Sequence, residues 1–154
     1  MSILKIYIHP NEILRKISQK VTKEEVLQPK FQQLISDMAE TMVKKDGIGL
    51  AGPQVGQSVR LIAVNTKDGV LALVNPVITN HSLRKEWGEE GCLSLPNTFG
   101  QVKRYKKVHC KFIDEKGNNR KIEAGGLMAR VIQHEIDHLD GILFIDKAKE
   151  IVTE

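Results

Sequence analysis

The sequence of 154 residues predicts an α+β fold, because helical and β-rich segments follow one another along the chain without interleaving. An amphipathic helical stretch comes first, several short β-rich segments follow, and a final helix is predicted to begin near Gly126. Strands that are not separated by helices favour antiparallel pairing over the parallel sheet of an α/β protein. The length suits one domain, residues 1–154, which would bury about two thirds of its unfolded surface.

The N-terminal part predicts two helices. Residues 11–17 (NEILRKI), directly after Pro10, predict a short one. From Lys23 to Lys45 apolar residues recur at helical spacing, which predicts a long amphipathic helix that Gly47 ends. The apolar positions are Val26, Phe31, Leu34, Ile35, Met38 and Met42.

Three stretches predict strands: residues 59–65, 70–78 and 102–124. In the third, apolar and polar residues alternate as on a half-buried strand, and the turn residues DEKGNN predict a hairpin. The inward positions are Val108, Cys110 and Phe112, and the outward ones His109 and Lys111.

Composition excludes several classes of protein. The chain is 41% hydrophobic and 27% charged, which argues against disorder and against a membrane protein. The N-terminal residues lack the long apolar core of a signal peptide, so we expect a cytoplasmic protein. The net charge of +4 is mild, and the lysines are scattered rather than set among aromatic strand residues, so an RNA-binding sheet is not expected.

The motif HEIDH near the C-terminus predicts a metal site. His134 and His138 lie about one helical turn apart on one face, where they can hold one ion, with Glu135 beside them as a general base. Catalytic zinc-like sites usually have three protein ligands and one position for water. A third ligand must therefore come from elsewhere in the chain.

The helical wheel separates an inward stripe from a polar arc. At about 100° per residue, Leu127, Val131 and His138 fall within about 60° of His134. The polar arc is either solvent-facing or a second layer around the ligands; it comprises Arg130, Gln133, Asp137 and Asp140. Glu135 belongs to the buried half, where a carboxylate loses hydration worth several kcal/mol unless a charged or hydrogen-bonding group meets it.

The third ligand is not found by extending the motif. In metzincin proteases the pattern continues as HExxHxxGxxH, but here Gly141 matches the glycine and Phe144 occupies the position of the third histidine. His9, His81, His109 and several acids remain open, although His109 is expected to be a solvated side chain on its strand.

Cys92 is the stronger candidate. It lies in EEGCLSLP, between Gly91 and Pro96, where the backbone can approach an ion and a thiolate can be exposed. Cys110 is expected to be a small buried hydrophobe, since it alternates with apolar residues. One cysteine and two histidines with an open fourth position form a recognised catalytic set.

Three motifs together, HEIDH, EGCLS and GIGLAGPQ (residues 47–54), make the sequence resemble the peptide deformylases over nearly its whole length. GIGLAG alone also matches a dinucleotide-binding fingerprint, but it follows a predicted helix and runs into Pro53, which is the wrong context. The resemblance implies antiparallel sheets packed around a central helix that carries HExxH, with N-terminal helices. The family usually has alanine at the position of Gly52, and the glycine is expected to add local flexibility.

The resemblance also implies a function. Peptide deformylases are metal-dependent hydrolases that remove the formyl group from the N-terminal formylmethionine of new polypeptides and release formate. The implied metal ligands are Cys92, His134 and His138, and Glu135 is the implied catalytic acid and base. The implied donors to the oxyanion are the Gln54 side chain and the Leu93 N–H. Ferrous iron is the family's preferred ion, with zinc, nickel or cobalt as substitutes.

For the substrate, the resemblance implies pairing of an extended peptide with the backbone near Ile48 and Gly49. The methionine side chain is expected in an apolar pocket lined by Ile48, Leu127, Val131 and Phe99. Arg104 matches a family arginine that would brace Glu90.

Nascent N-formylmethionyl peptides are the implied partners, with transient ribosome association and no membrane or DNA. Longer bacterial members dock on the ribosome through a C-terminal helix. This chain ends soon after Asp146, so we do not expect docking by that route.

Two other functions remain open. One is a zinc endopeptidase that uses the same HExxH helix with a different third ligand. The other is a non-catalytic, ribosome-associated module whose metal is structural and held by four ligands.

Overall fold

The computed structural model describes residues 2–154, which form two antiparallel sheets and three α-helices. The helices are α1 (Lys23–Val26), α2 (Pro29–Lys44) and α3 (Gly126–Leu139). The strands are β1 (Gly49–Ala51), β2 (Leu61–Thr66), β3 (Gly69–His81), β4 (Lys85–Cys92), β5 (Leu95–Tyr105), β6 (Lys107–Ile113), β7 (Asn119–Gly125) and β8 (Lys149–Thr153). Short 3₁₀ helices span Glu12–Arg15, Gly52–Val55 and Phe144–Asp146. Within the described part of the chain, no helix combines the length and apolar character needed to span a bilayer.

The larger sheet has the strand order β1-β2-β3-β6-β7 and lies between two helices. One face packs on α3 through apolar residues that include Ile62, Leu73 and Phe112, and the other packs on α2 through Leu61, Ala63 and others. Since both faces of the sheet are covered, residues 61–64 of β2 are all buried, and all four are apolar. Strand β1 lies at an edge of this sheet.

The smaller sheet has the order β4-β5-β8. Strands β4 and β5 form a hairpin with a tight turn after Cys92, and β8 pairs with the other edge of β5. The chain passes between the two sheets three times: through residues 82–84 from β3 to β4, through Lys106 from β5 to β6, and through α3 from β7 to β8. A small apolar cluster supports this sheet: Leu14, Leu95, Val102, Leu143 and Phe144.

The α+β prediction and the final helix are confirmed, but the N-terminal helices differ from prediction. The predicted helix from Lys23 to Lys45 is broken, because a residue before proline disfavours the helical conformation and Gln28 is extended before Pro29. Helix α2 ends at Lys44, and the Gly47 N–H caps the Met42 carbonyl. Residues 11–17 form only one 3₁₀ turn, Glu12–Arg15.

Among the strands, the predicted segments 59–65 and 70–78 correspond to β2 and β3. The stretch 102–124 is not one hairpin, since it contains the end of β5 together with β6 and β7. The β6–β7 turn is confirmed, and Asp114 accepts hydrogen bonds from the backbone N–H groups of Lys116 and Asn118 there. The inward side chains of β6 are buried as predicted, and His109 is half exposed. Strands β1, β4 and β8 and the first part of β5 were not predicted.

Candidate metal centre and active site

The three predicted metal ligands meet at one point. His134 and His138 lie one turn apart on α3, and Cys92 comes from the end of β4. One ligand atom from each residue lies within 4.8 Å of the others, and Cys92 Sγ is 3.3 Å from His138 Nε2. The open candidates His81 and His109 lie elsewhere: His81 stacks on Tyr105, and His109 lies 3.9 Å from Glu123. His9 is not part of the group either.

The donor set fits a divalent ion. His134 Nδ1 is 2.8 Å from Glu90 Oε1, so this nitrogen donates to the carboxylate and Nε2 remains for a metal. Burial lowers the pKa of His138 far below its usual value and keeps its imidazole neutral, as a metal ligand requires. Burial also opposes a charge on His134, but Glu135, Cys92 and Glu90 raise its pKa to about 10. The acidic groups around His134 therefore favour positive charge at that position, whereas the surroundings of His138 do not.

Glu135 has the buried position that the helical wheel predicted. It is 4% exposed, its Oε2 lies 3.9 Å from His134 Nε2, and its Oε1 has no hydrogen-bond partner among residues 2–154. Burial raises the pKa of Glu135 to about 7, with the positive charge of His134 acting in the other direction. A Cβ on Gly49 would lie 2.5 Å from Glu135 Oε2, so only glycine leaves room for this carboxylate.

Gln54 is oriented by its own loop. Its Oε1 accepts a hydrogen bond of 2.9 Å from the Ala51 N–H, which turns Nε2 towards Cys92 Sγ at 3.4 Å and Ser94 Oγ at 3.2 Å. Ser94 was not predicted, since a serine in a hairpin turn carries no motif of its own. Gly52, expected to add flexibility, is buried, and a Cβ there would lie 2.7 Å from two backbone oxygens. Its lack of a side chain therefore permits close packing.

A buried ionic network lies behind His134. Arg104 donates from Nε and Nη2 to the two oxygens of Glu90, both at 2.9 Å, so the predicted brace is confirmed. Arg104 also binds Asp137, and Arg130 binds Glu90 at 2.7 Å. Although burial alone would raise the pKa of Glu90, hydrogen bonds from Arg104 and His134 lower it well below its ordinary value. Two residues of the polar arc, Arg130 and Asp137, thus belong to the network behind His134, whereas Gln133 binds the Tyr105 backbone and Asp140 binds Arg60.

A cavity of about 490 Å³ opens beside these residues. Its walls include the predicted pocket residues Ile48, Leu127, Val131 and Phe99, together with Gly49 and Leu93. Leu127 was predicted to point inward, but it is 63% exposed and lies at the cavity margin. Phe144, which occupies the metzincin histidine position, is buried, and the centre of its ring is 6.1 Å from that of His134.

Comparisons with known proteins agree on one family. The family model described as polypeptide deformylase matches residues 3–154. A peptide deformylase of Caldicellulosiruptor bescii is 46% identical over 154 residues, which cover all of this chain and 90% of the relative. One from Thermoanaerobacter pseudethanolicus is 44% identical over 144 residues, which cover 94% of this chain and 88% of the relative.

Solved structures give the same result. A class I type b peptide deformylase from Acinetobacter baumannii superposes with a TM-score of 0.93 at 36% identity, covering 96% of this chain and 100% of that one. The peptide deformylase from Thermotoga maritima gives a TM-score of 0.92 at 38% identity, covering 97% and 99%. The chain therefore belongs to the polypeptide deformylase family, whose members are metal-dependent hydrolases that remove N-formyl groups.

Proposed function

We propose that this chain, as one catalytic domain, removes the formyl group from the N-terminal formylmethionine of newly made polypeptides and releases formate. The observation that carries the proposal is the position of Glu135, a buried carboxylate with an unpartnered oxygen that lines the cavity beside the ligand set. A buried carboxylate in this state is costly unless a reactant or water meets it. Hydrolysis supplies both.

Cys92, His134 and His138 would hold the metal in this proposal. Their sulfur and nitrogen donors accept Fe²⁺, Zn²⁺, Ni²⁺ or Co²⁺, and we propose Fe²⁺ in accordance with the family's preference. When bound, such an ion lowers the pKa of a coordinated water and polarises the formyl carbonyl. Metal analysis of protein purified without oxygen tests the identity of the ion; zinc at full occupancy and no iron would contradict that part of the proposal.

Glu135 is proposed to move the proton. It accepts a proton from the attacking water and delivers it to the nitrogen of the leaving amine, which gives the new N-terminal amino group. Its unpartnered oxygen is available for this task, and the close approach that Gly49 permits holds the carboxylate at the cavity wall.

Gln54 and Leu93 are proposed to stabilise the oxyanion that develops on the formyl oxygen. The carbonyl of the Gln54 side chain is already occupied by Ala51, so its NH₂ group is the part presented to the site. Leu93 lines the cavity directly after Cys92, where its backbone N–H would supply a second donor. Loss of one such donor typically lowers the rate by about 10²- to 10³-fold.

The peptide is proposed to bind as an added strand along β1. The Asn65 N–H donates to the Ile48 carbonyl, and hydrogen-bonding direction alternates along an antiparallel strand, so the polar groups of Gly49 face the open edge. The methionine side chain would enter the apolar part of the cavity, next to Val131 and Phe99, with Ile48 and Leu127 at its margin. Because nascent peptides emerge from the ribosome, the proposal includes transient ribosome association, which co-sedimentation tests.

The two alternatives have distinct expectations. A zinc endopeptidase would cleave internal peptide bonds, whereas the proposed enzyme releases formate from formylmethionyl peptides and leaves internal bonds intact. A structural metal module would require a closed set of four ligands and would show no turnover. Within residues 2–154, the group around Cys92 has three members, which favours an open site.

Glu135→Gln tests the function directly. The variant keeps the size of the side chain but loses the base, so formate release from a formylmethionyl peptide should fall by about 10²- to 10⁴-fold while metal content stays constant. A variant that contains metal and retains activity within a factor of three would remove Glu135 from the mechanism.

Cys92→Ala tests the ligand set, with Cys110→Ala as its matched control. The first variant should lose the metal and the activity together. Burial raises the pKa of Cys110 to about 11 and keeps that thiol neutral, so its loss should leave metal content unchanged. Equal metal content in both variants would exclude Cys92 as a ligand.

A further inference from the structure

Arg130 lies on α3 one turn before His134 and is bound from three sides. Its Nη1 donates to Glu90 Oε2 at 2.7 Å and to the Val102 carbonyl at 2.8 Å, and its Nη2 donates to the Glu86 carbonyl at 2.9 Å. These acceptors lie on β4 and β5, so the guanidinium has one fixed position against the smaller sheet.

Glu90 divides its two oxygens between partners. His134 Nδ1 contacts Oε1, whereas Arg130 contacts Oε2, and Arg104 contacts both. A carboxylate rotates as a plane, so a bond that holds Oε2 also sets the direction in which Oε1 meets the imidazole. Charge-assisted hydrogen bonds of this length are strong and directional.

The contacts of Arg130 form a closed loop. The loop runs from α3 through Arg130 to Glu90, on to His134, and back to the same helix. Arg104 belongs to β5 and reaches α3 only by binding Asp137, so its path back to His134 needs one more residue. The two arginines also differ in access: Arg104 is buried at 3% exposure, while Arg130 lines the cavity.

We propose that Arg130 is a positioning residue that fixes the orientation of His134 at the metal through the far oxygen of Glu90. The inference rests on the proposed role of His134 as a ligand. Partners of metal-bound histidines that lie outside the ligand set typically change metal affinity by about 10- to 100-fold when they are removed.

Two kinds of substitution reach the same guanidinium. Arg130→Met keeps most of the side-chain stem and removes the hydrogen bonds, and Arg130→Lys keeps the charge and at most part of the bonding. Gly88→Ala acts from β4: a Cβ there would lie 2.7 Å from Arg130 Cζ, so the flexible guanidinium must shift away while its charge remains. This third variant keeps the test decisive if Arg130→Met does not fold.

Arg60→Met is the matched control. The Arg60 side chain binds the C-terminal end of α3, where it donates to the Leu139 carbonyl and to Asp140. Its exposure of 15% is close to the 12% of Arg130. Arg60 does not contact Glu90. A role that is merely structural would make the two arginine-to-methionine variants behave alike.

The measurements are the rate at which Co²⁺-loaded protein loses its ion to EDTA, its visible absorption spectrum, and kcat and KM for a formylmethionyl peptide. We expect dissociation about 10- to 100-fold faster in Arg130→Met and Gly88→Ala, a smaller effect in Arg130→Lys, and none in Arg60→Met. The spectrum should change in the first two variants, and kcat should fall while KM stays within twofold.

Wild-type dissociation rates in Arg130→Met and Gly88→Ala would overturn the inference, and so would an equal acceleration in Arg60→Met. A rise in KM with no change in ion dissociation or kcat would also overturn it, because Arg130 would then act only as a lining residue of the cavity. If the unsubstituted protein itself binds no Co²⁺, the proposed function fails instead, so the two failures are distinguishable.

Discussion

Helix α3 is held by the two sheets in different ways. The five-stranded sheet packs on its apolar side, where Val131, Ile132 and Leu139 are buried in one cluster with residues of β2, β3 and β6. The three-stranded sheet meets the polar side of α3 through ion pairs: Arg104 joins Glu90 to Asp137, and Glu90 also binds residues of α3 directly. These two interfaces of α3 are called the apolar contact and the polar contact.

The apolar contact therefore mainly stabilises the fold, and the polar contact mainly fixes the orientation of the side chains at the site. Apolar burial is non-directional and depends mainly on area, so it holds the helix in place without fixing the rotation of any one imidazole. Hydrogen-bonded ion pairs are directional, and they are costly when left incomplete in a buried site. The apolar contact should therefore tolerate small changes that the polar contact does not.

The largest effect is expected from breaking the polar contact with Arg104→Met. The substitution leaves Glu90 and Asp137 without their shared partner, which should reduce the free energy of unfolding by about 3–5 kcal/mol. Metal affinity should fall as well, because His134 loses part of its support. Urea unfolding and metal titration measure the two quantities; a loss below about 1 kcal/mol with unchanged affinity would contradict the role given to the network.

A smaller effect is expected from the apolar contact. Ile132→Val removes one methylene group from the cluster under α3 and should cost about 0.5–1.5 kcal/mol. Metal affinity and kcat should stay at wild-type values, because the polar contact remains complete. A clear drop in metal affinity at this small cost in stability would show that the two contacts are not separable.

The smallest effect concerns Asp114, in the β6–β7 turn of the apolar-packed sheet. Hydrogen bonding from the Asn118 N–H, aided by Lys116 and Arg120, lowers the pKa of Asp114 despite its burial. A lowered pKa gives stability that is present above the unfolded value of about 3.9 and is lost as the pH falls through the folded value. The stability gap between wild type and Asp114→Asn should thus be constant from about pH 5 to 7 and shrink in acid. Urea unfolding across this pH range measures the stability difference. A difference that grows in acid would contradict a lowered pKa for Asp114.

The same division explains which features the sequence predicted. Apolar periodicity identified α3, β2, β3 and β6, because these elements bury continuous or alternating apolar faces in the larger sheet. Helix α2 was also found, but the break before Pro29 was missed because the apolar pattern runs across it. The HExxH spacing predicted the pair His134 and His138, and the glycine–proline context together with the resemblance to the peptide deformylases added Cys92 before any contact was known.

The polar contact left little signal in the sequence. Strand β4 meets α3 through Glu90, the Glu86 carbonyl and Gly88, so it has no alternating apolar face to detect. Strand β8 is short and exposed along its whole length. Arg130 had been assigned only to a polar arc, since a helical wheel shows the direction of a side chain but not its partner.

The positions of the three proposed metal ligands have a thermodynamic consequence. Cys92 belongs to the smaller sheet, and both histidines belong to the helix seated on the larger one. A bound ion would thus cross-link the smaller sheet to the helix packed on the larger sheet, in addition to the chain connections between them. By mass action, free ion at 1,000 times its dissociation constant would add about 4 kcal/mol to the folded state. Metal supply would then set the protein's resistance to unfolding as well as its activity.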